Sequence, residues 1–388
     1  MSARATPDGL ASSRRIRRTP YTERLISAGA LRFTVVNHTL LAREFVYTRE
    51  QMYWHLNTGV QLWDVSCQRQ VEIDGPDAET LVQFMTPRDI SVLGPGDCLY
   101  IPVIDESGGM LNDPVLLKHP DGRFWLSGSD SDLVLYAKGI AAGAGMTARI
   151  NEPDIWPLAV QGPRAEELMA RIFGDGIVSL GFFRHREFSF RGTGLTISRS
   201  GFSRQDGFEI YLPGTELGPE LWDSLMKAGN DLDARAGCPN LADRIEAGLL
   251  SYRNDMNHEN SPLEVGFEKC CVLDGSIRYA GRDALRELSA NPNTRRRIAG
   301  VVFDGPPCPA CSEGWNVYAN DRNVGEITSG AWSPGLAKNI GISLMDPACR
   351  SPGQDVNVDC ADGMVRAGRT CALPIRPRAG RPALRRTA

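Results

Sequence analysis

Apolar and polar positions alternate along Val71-Glu-Ile-Asp-Gly-Pro-Asp-Ala-Glu-Thr-Leu81, and after the Gly-Pro step the apolar residues move to helical spacing. The pattern predicts a short strand, a turn, and a helix with proline at its first position. Leu158-Ala-Val-Gln-Gly-Pro-Arg-Ala-Glu-Glu-Leu168 repeats it in register, sharing Gly, Pro, Ala, Glu and Leu. An internal duplication is the better reading of that match than chance, and it implies two similar halves meeting at a pseudo-twofold seam, where a ligand cleft is commonly found. Strands are further predicted at Leu99-Tyr-Ile-Pro-Val103, Pro114-Val-Leu-Leu-Lys118, Arg123-Phe-Trp-Leu126 and Gly194-Leu-Thr-Ile-Ser-Arg199, and helices over 130–143, 216–229 and 240–250. Without regular strand–helix–strand alternation the fold class is α+β rather than doubly wound. From about 295 short strands such as 297–303, 315–318 and 323–328 follow one another with Gly, Asn and Asp turns, which predicts a separate small β-barrel or sandwich.

The expected organisation is a basic tail over 1–19, a body over 20–290 with halves at about 20–150 and 151–290, a barrel over 291–375, and a second basic tail over 376–388. At 388 residues, with 42% hydrophobic and 23% charged, the chain has ample material for these cores. No apolar run approaches the roughly 20 residues needed to cross a bilayer, so no membrane association is expected. The formal charge of −4 conceals Arg-rich ends flanking an acidic middle. That distribution argues against a nucleic-acid-binding face on the folded part. Ten cysteines without an apolar leader suggest reduced thiols in a cytoplasmic protein. The Arg/Ser-rich opening has a transit peptide as its lesser reading. Cys308-Pro-Ala-Cys311 lies in a Pro/Gly-rich stretch and reads as a loop rather than a zinc or redox site.

The five histidines have no metal-ligand spacing, and neither a GxSxG elbow nor a phosphate loop occurs. What remains are carboxylates in glycine-flanked contexts: Asp113 in Gly108-Gly-Met-Leu-Asn-Asp-Pro114, and Glu209 in Asp206-Gly-Phe-Glu-Ile-Tyr211. Taken singly, each reads more readily as a solvated strand-end acid. Glu209 and Tyr211 are two apart on a strand, however, and so share a face. Arg244, in Asp243-Arg-Ile-Glu-Ala-Gly248 at the start of a predicted helix, is placed either to clamp an anionic or carbonyl group or to make a salt bridge within the helix.

These segments together resemble the folate-dependent aminomethyltransferase (glycine cleavage T-protein) superfamily across residues 20–375. The pieces are Trp63-Asp-Val-Ser66, the Gly-Gly-x-x-x-Asp of 108–113, Ser200-Gly-Phe-Ser-Arg-Gln-Asp-Gly-Phe-Glu-Ile210, Arg244-Ile-Glu-Ala-Gly-Leu249 and Gly325-Glu-Ile-Thr-Ser-Gly-Ala-Trp-Ser-Pro334. Within it, Arg18-Thr-Pro-Tyr-Thr22, Val36-Asn-His-Thr-Leu-Leu41, Met85-Thr-Pro-Arg-Asp89, Gly237-Cys-Pro-Asn-Leu241 and Asn112 are similar to the dimethylsulfoniopropionate demethylases. The resemblance implies a ring-like body of two halves capped by a C-terminal barrel, with tetrahydrofolate as methyl acceptor in the central cleft. It further implies that Glu209 holds the pterin's amine edge, that Tyr100 and Tyr211 line the pocket, that Asp113 sits by the reacting nitrogen as the catalytic group, and that Arg244 lies near the cofactor. Tyr21, Ser127 and Tyr211 fall where substrate contacts are expected. The alternatives are demethylation of a methylamine or an aryl methyl ether, glycine cleavage aminomethyl transfer, and a folate-binding regulator without turnover. The expected partner is a small-molecule substrate, with no nucleic acid and no membrane, and a homodimer is left open.

Overall fold

The computed structural model describes Leu10 and residues 13–130 and 132–377. Two antiparallel-dominated sheets and a barrel carry the architecture. The first sheet orders its strands Arg149–Asn151, Arg69–Asp74, Phe124–Gly128, Val115–Lys118, Cys98–Tyr100. The second runs His185–Phe190, Thr193–Ser198, Gly207–Pro213, Ile155–Gln161, Val60–Asp64, Ala234–Gly237, with only the last pair parallel. Each sheet covers one face with its own helices: Ala78–Met85 and Leu133–Ala144 on the first, Ala165–Phe173 and Gly218–Ala228 on the second. A closed six-stranded barrel spans Arg297–Phe303 to Val365–Cys371.

Both repeats form the expected strand, turn and helix, with one correction. Pro76 and Pro163 sit in the turn ahead of the N-cap residues Asp77 and Arg164, not at the first helical position. The preceding glycines make this turn: Gly75 and Gly162 adopt φ of +111° and +130°, a region only glycine enters freely. The expected strand at 99–103 is broken into Cys98–Tyr100 and Val103–Ile104, because Pro102 lacks a donor and Ile101 bonds sideways to the Pro114 carbonyl.

The division into halves at 150 is also corrected. Val60–Asp64, early in the chain, is an inner strand of the second sheet, and Tyr21, Leu25, Phe45 and Met52 pack into that sheet's core. Every residue of Val60–Asp64 is buried, which suits a strand covered on both faces. The expected tails are shorter than drawn. Arg17 pairs with Thr39 across a β-bridge, Thr19 donates to Asp64, and the Arg376 amide donates to the Glu246 carbonyl. Residues 1–9, 11–12 and 378–388 lie outside the described residues. A further core joins Ile245, Leu250, Tyr252, Leu263 and Phe267 to barrel residues Ile340 and Ile342, so residues 241–290 form the layer on which the barrel sits. All ten cysteines are free thiols; Cys308 and Cys311 lie in the loop between two barrel strands. No group of metal-ligating side chains occurs among the described residues.

Candidate active site

The two sheets face each other through their helix-free sides. On the first sheet, residues directly opposite across strands point the same way, and the register lines up Gln70, Ser127, Val115 and Tyr100 in one row. On the second sheet the row is Ser198, Glu209, Ala159 and Trp63, with Tyr211 next along the same strand and face. Phe208, Ile210 and Leu212, the alternate residues, go to the helix-side core. The faces meet where the Trp125 and Tyr211 rings lie 5.7 Å apart.

Within this seam Glu209 is only 5% exposed. One carboxylate oxygen accepts a short hydrogen bond from Ser200, whose hydroxyl lies 2.6 Å from that of Ser198. Gln68 reaches the same carboxylate from the opposing side. Burial raises the Glu209 pKa, the hydrogen bonds from Ser200 and Gln68 oppose the rise, and no cation pairs with the carboxylate among the described residues. Ser127, 5% exposed, accepts from Gln70 Nε2 at 3.1 Å. The Tyr211 hydroxyl is buried beside Ser127 and Ser198, which act on its pKa; burial raises that pKa most. Tyr211 Oη and Gln70 Oε1 are buried without a hydrogen-bond partner among the described residues. Each such group costs about 1–3 kcal/mol unless something fills it.

At the end of the first row, the Tyr100 hydroxyl donates a short hydrogen bond to Asp113. Asp113 stands between Met110–Asn112 and Val115–Lys118, its amide bonded to the Asn112 side chain at 2.9 Å. The Phe267 ring packs 5.1 Å from Tyr100. Glycine 266 and Glu268, on either side of Phe267, line a 420 Å³ cavity with Leu249, Ile298 and Leu373, and with the cations Lys269, Arg297 and Arg350.

The seam therefore gathers Tyr100, Asp113, Ser127, Glu209 and Tyr211, and leaves two expected site residues elsewhere. Tyr21 is fully buried in the second half's core, its ring 6.2 Å from Trp222 and its hydroxyl donating to the Trp156 carbonyl. Its ring belongs to the helix-side core and its hydroxyl is already bonded, which places it outside the seam. Arg244 comes near the end of the Leu241–Glu246 helix rather than at its start. It bonds Asp255 at 2.8 Å, the Leu249 carbonyl at 2.8 Å and Ser329 at 2.6 Å, so its ion pair is with an acid beyond its own helix. Ser198, Ser200, Gln68, Gln70 and the cavity cations were not anticipated.

The sequence of this chain matches the model of the GCVT N-terminal domain over residues 21–275 and that of the glycine cleavage T-protein C-terminal barrel domain over 296–375. The chain belongs to the glycine cleavage T-protein family. Among curated relatives it is 45% identical over 352 residues to dimethylsulfoniopropionate demethylase DmdA of Ruegeria pomeroyi, covering 91% of this chain and 95% of that protein. It is 30% identical over 305 residues to an aminomethyltransferase of Thermoanaerobacter pseudethanolicus, covering 76% and 81%. The fold is that of the glycine cleavage system aminomethyltransferase T of Bartonella henselae, with a TM-score of 0.82 at 22% identity over 94% of this chain and 99% of that one.

Proposed function

We propose that this chain is a tetrahydrofolate-dependent methyltransferase that demethylates dimethylsulfoniopropionate, giving 5-methyl-tetrahydrofolate and 3-methylthiopropionate. The observation that carries the cofactor is the buried, cation-free carboxylate of Glu209 facing the unfilled polar atoms of Tyr211 and Gln70. A carboxylate buried in this way calls for a donor-rich neutral partner, and a pterin edge with its amino and ring N–H groups fits. A cavity beside Phe267, where Lys269, Arg297 and Arg350 stand with Glu264 and Glu268, offers cations for the anionic tail of a folate. The methyl donor rests on the 45% identity across nearly the full length of both proteins.

Bound tetrahydrofolate would supply a neutral, nucleophilic amine nitrogen, N5, as methyl acceptor, with the S–C bonding electrons left on sulfur as a neutral thioether. The protein's part is chiefly positioning, since a sulfonium methyl is already activated and an in-line approach at about 3–3.5 Å is what remains to be arranged. Glu209 and Tyr211 hold the acceptor's edge, and Ser127 fixes the opposite wall. Tyr100 keeps Asp113 in one orientation by donating to it, so Asp113 can accept the proton that N5 must lose after methylation. The aromatic walls of Trp125, Tyr211 and Tyr100 favour a sulfonium by cation–π attraction without the ground-state stabilisation of a full counter-ion. Ten free thiols support a reducing compartment, the cytoplasm, as its place of action. No described helix is long and apolar enough to cross a membrane.

Anaerobic incubation with tetrahydrofolate and dimethylsulfoniopropionate, followed by mass spectrometry, tests the reading. Equal amounts of 5-methyl-tetrahydrofolate and 3-methylthiopropionate are expected. Folate binding with neither product overturns the donor assignment, and no folate binding overturns both.

A further inference from the structure

The segment after strand Thr193–Ser198 has no catalytic assignment so far, yet it is held more tightly than a connecting loop requires. Gln161 Nε2 donates to the Ser200 carbonyl at 3.1 Å, Ser203 Oγ donates to Gln161 Oε1 at 2.7 Å, and Asp243 accepts from the Arg204 amide at 2.6 Å. Gly201 permits the close approach, because a Cβ there would stand 2.1 Å from Gln161 Nε2. With the segment pinned in this way, the Ser200 hydroxyl lies between Glu209 and Ser198. An ionised carboxylate only accepts, so the single Ser200 proton goes to Glu209 and Ser198 must donate to Ser200. Both serines are essentially sealed from solvent, at 0% and 3% exposure, which leaves water no place in this chain of donors.

We infer that Ser200, set by Ser198, is a positioning residue that keeps Glu209 ionised and turned toward the folate. The inference rests on the folate-binding reading above. One Glu209 oxygen is occupied by Ser200 and Gln68 reaches the same carboxylate from the opposing side, so the group is fixed against rotation where the folate edge would meet it. The titratable groups facing Glu209 are Tyr211 on its own strand and Cys98 from the opposing sheet. Burial pushes both up, so they stay neutral around pH 7, and Glu209 is the only group of the three whose ionised form the hydrogen bonds from Ser200 and Gln68 favour. Removing the Ser200 donor takes away one of the two hydrogen bonds that oppose the burial of the Glu209 charge.

The test uses Ser200→Ala, Ser200→Thr and Ser198→Ala with 5-methyl-tetrahydrofolate as the binding probe, titrated from pH 5.5 to 8.5, together with kcat and KM. Ser200→Ala is expected to weaken binding about 10-fold at pH 7, as for a lost hydrogen bond to a charged group. Its affinity should begin to fall at a higher pH than in the wild type, and kcat at saturating folate should change far less than KM. Ser200→Thr, which keeps a hydroxyl, should restore most of the affinity, and Ser198→Ala should show the same pH displacement to a smaller degree. Wild-type affinity and pH profile in Ser200→Ala overturn the inference, as does a loss that Thr does not rescue. A wild-type protein that binds no 5-methyl-tetrahydrofolate overturns the folate reading itself, and that arm is read before any variant is compared.

Discussion

Two carboxylates share the seam in different settings, and the proposed function gives them different jobs. Glu209 is buried and fed by neutral donors, whereas Asp113 is tied to a phenol at the seam's edge. Glu209→Ala is expected to weaken folate binding about 10- to 100-fold, as for loss of a charge-assisted contact. Asp113→Asn should instead lower kcat with folate affinity within a factor of about 3, because it removes a proton acceptor and not a binding edge. Equal small effects from both, measured by calorimetric titration and initial rates, would remove the assignment. A third acid, Asp64, lies outside the seam at 3% exposure, accepting from Thr19 Oγ1 at 2.5 Å and from the Ser66 amide at 3.1 Å. Burial pushes its pKa up to about 6 from 3.8. Raised in the folded state, it binds more protons folded than unfolded between those values, so stability falls as pH rises from about 4 to 6. Asp64→Asn should abolish that slope and gain up to about 3 kcal/mol at pH 7, read by urea unfolding across pH. An unchanged slope would assign the pH dependence to other groups.

At the scale of elements, local pattern was readable where it is self-contained and unreadable where tertiary packing decides. The duplicated strand, Gly-Pro turn and helix announce themselves, because alternation, a turn and helical spacing all lie within eleven residues. Val60–Asp64 gives no hint that it crosses into the other half's sheet, since a fully buried strand looks the same in either sheet. Glu209 and Tyr211 on one face followed from strand periodicity. Ser200 did not, because its contact depends on how a loop is pinned by Gln161 and Asp243, which are distant in the chain. Tyr21 carried a family motif and proved to be packed core, so a motif can mark folding as readily as chemistry. The repeat glycines are the sharpest test at this scale. Gly162 has φ +130°, and a Cβ there would lie 2.3 Å from the Gly59 carbonyl oxygen. Gly162→Ala should therefore destabilise by about 2–4 kcal/mol, from strain plus the displaced backbone. Thermal unfolding checks it, with exposed Gly192→Ala, which meets nothing within 4 Å although its φ is +81°, as the control that should lose less.

Across the whole molecule, the body and the barrel are joined by buried charge. Arg244 and Asp255, with side chains 6% and 0% exposed, form a pair that reaches barrel residues Ser329 and Thr328. Glu246, also 0% exposed at its side chain, accepts from Tyr53 at 2.8 Å and from barrel Ser333 at 2.6 Å, and lies 3.6 Å from Arg376 on the segment beyond the barrel. Such a pair adds little over an apolar substitute, but stripping one partner leaves a charge stranded in the interior. Arg244→Ala should cost about 3–5 kcal/mol by exposing Asp255 to that fate. Because Arg244 bridges two units, the loss should fall on their coupling: amide exchange should quicken in the barrel strands Arg322–Ser333 and Lys338–Met345 that it braces, ahead of the first sheet. The double variant Arg244→Met, Asp255→Leu should recover much of the stability, since neither charge is then buried alone. The same experiment weighs the clamp that sequence alone admitted. If Arg244 holds the cofactor directly, Arg244→Met with Asp255→Leu should bind folate no better than Arg244→Ala. If Arg244 shapes the site by seating the barrel against the cavity that contains Lys269, Arg297 and Arg350, restoring the junction restores affinity along with stability. From the bonds of Arg244 to Asp255, Leu249 and Ser329 we expect the second outcome, in which the barrel would serve as a wall of the proposed folate site.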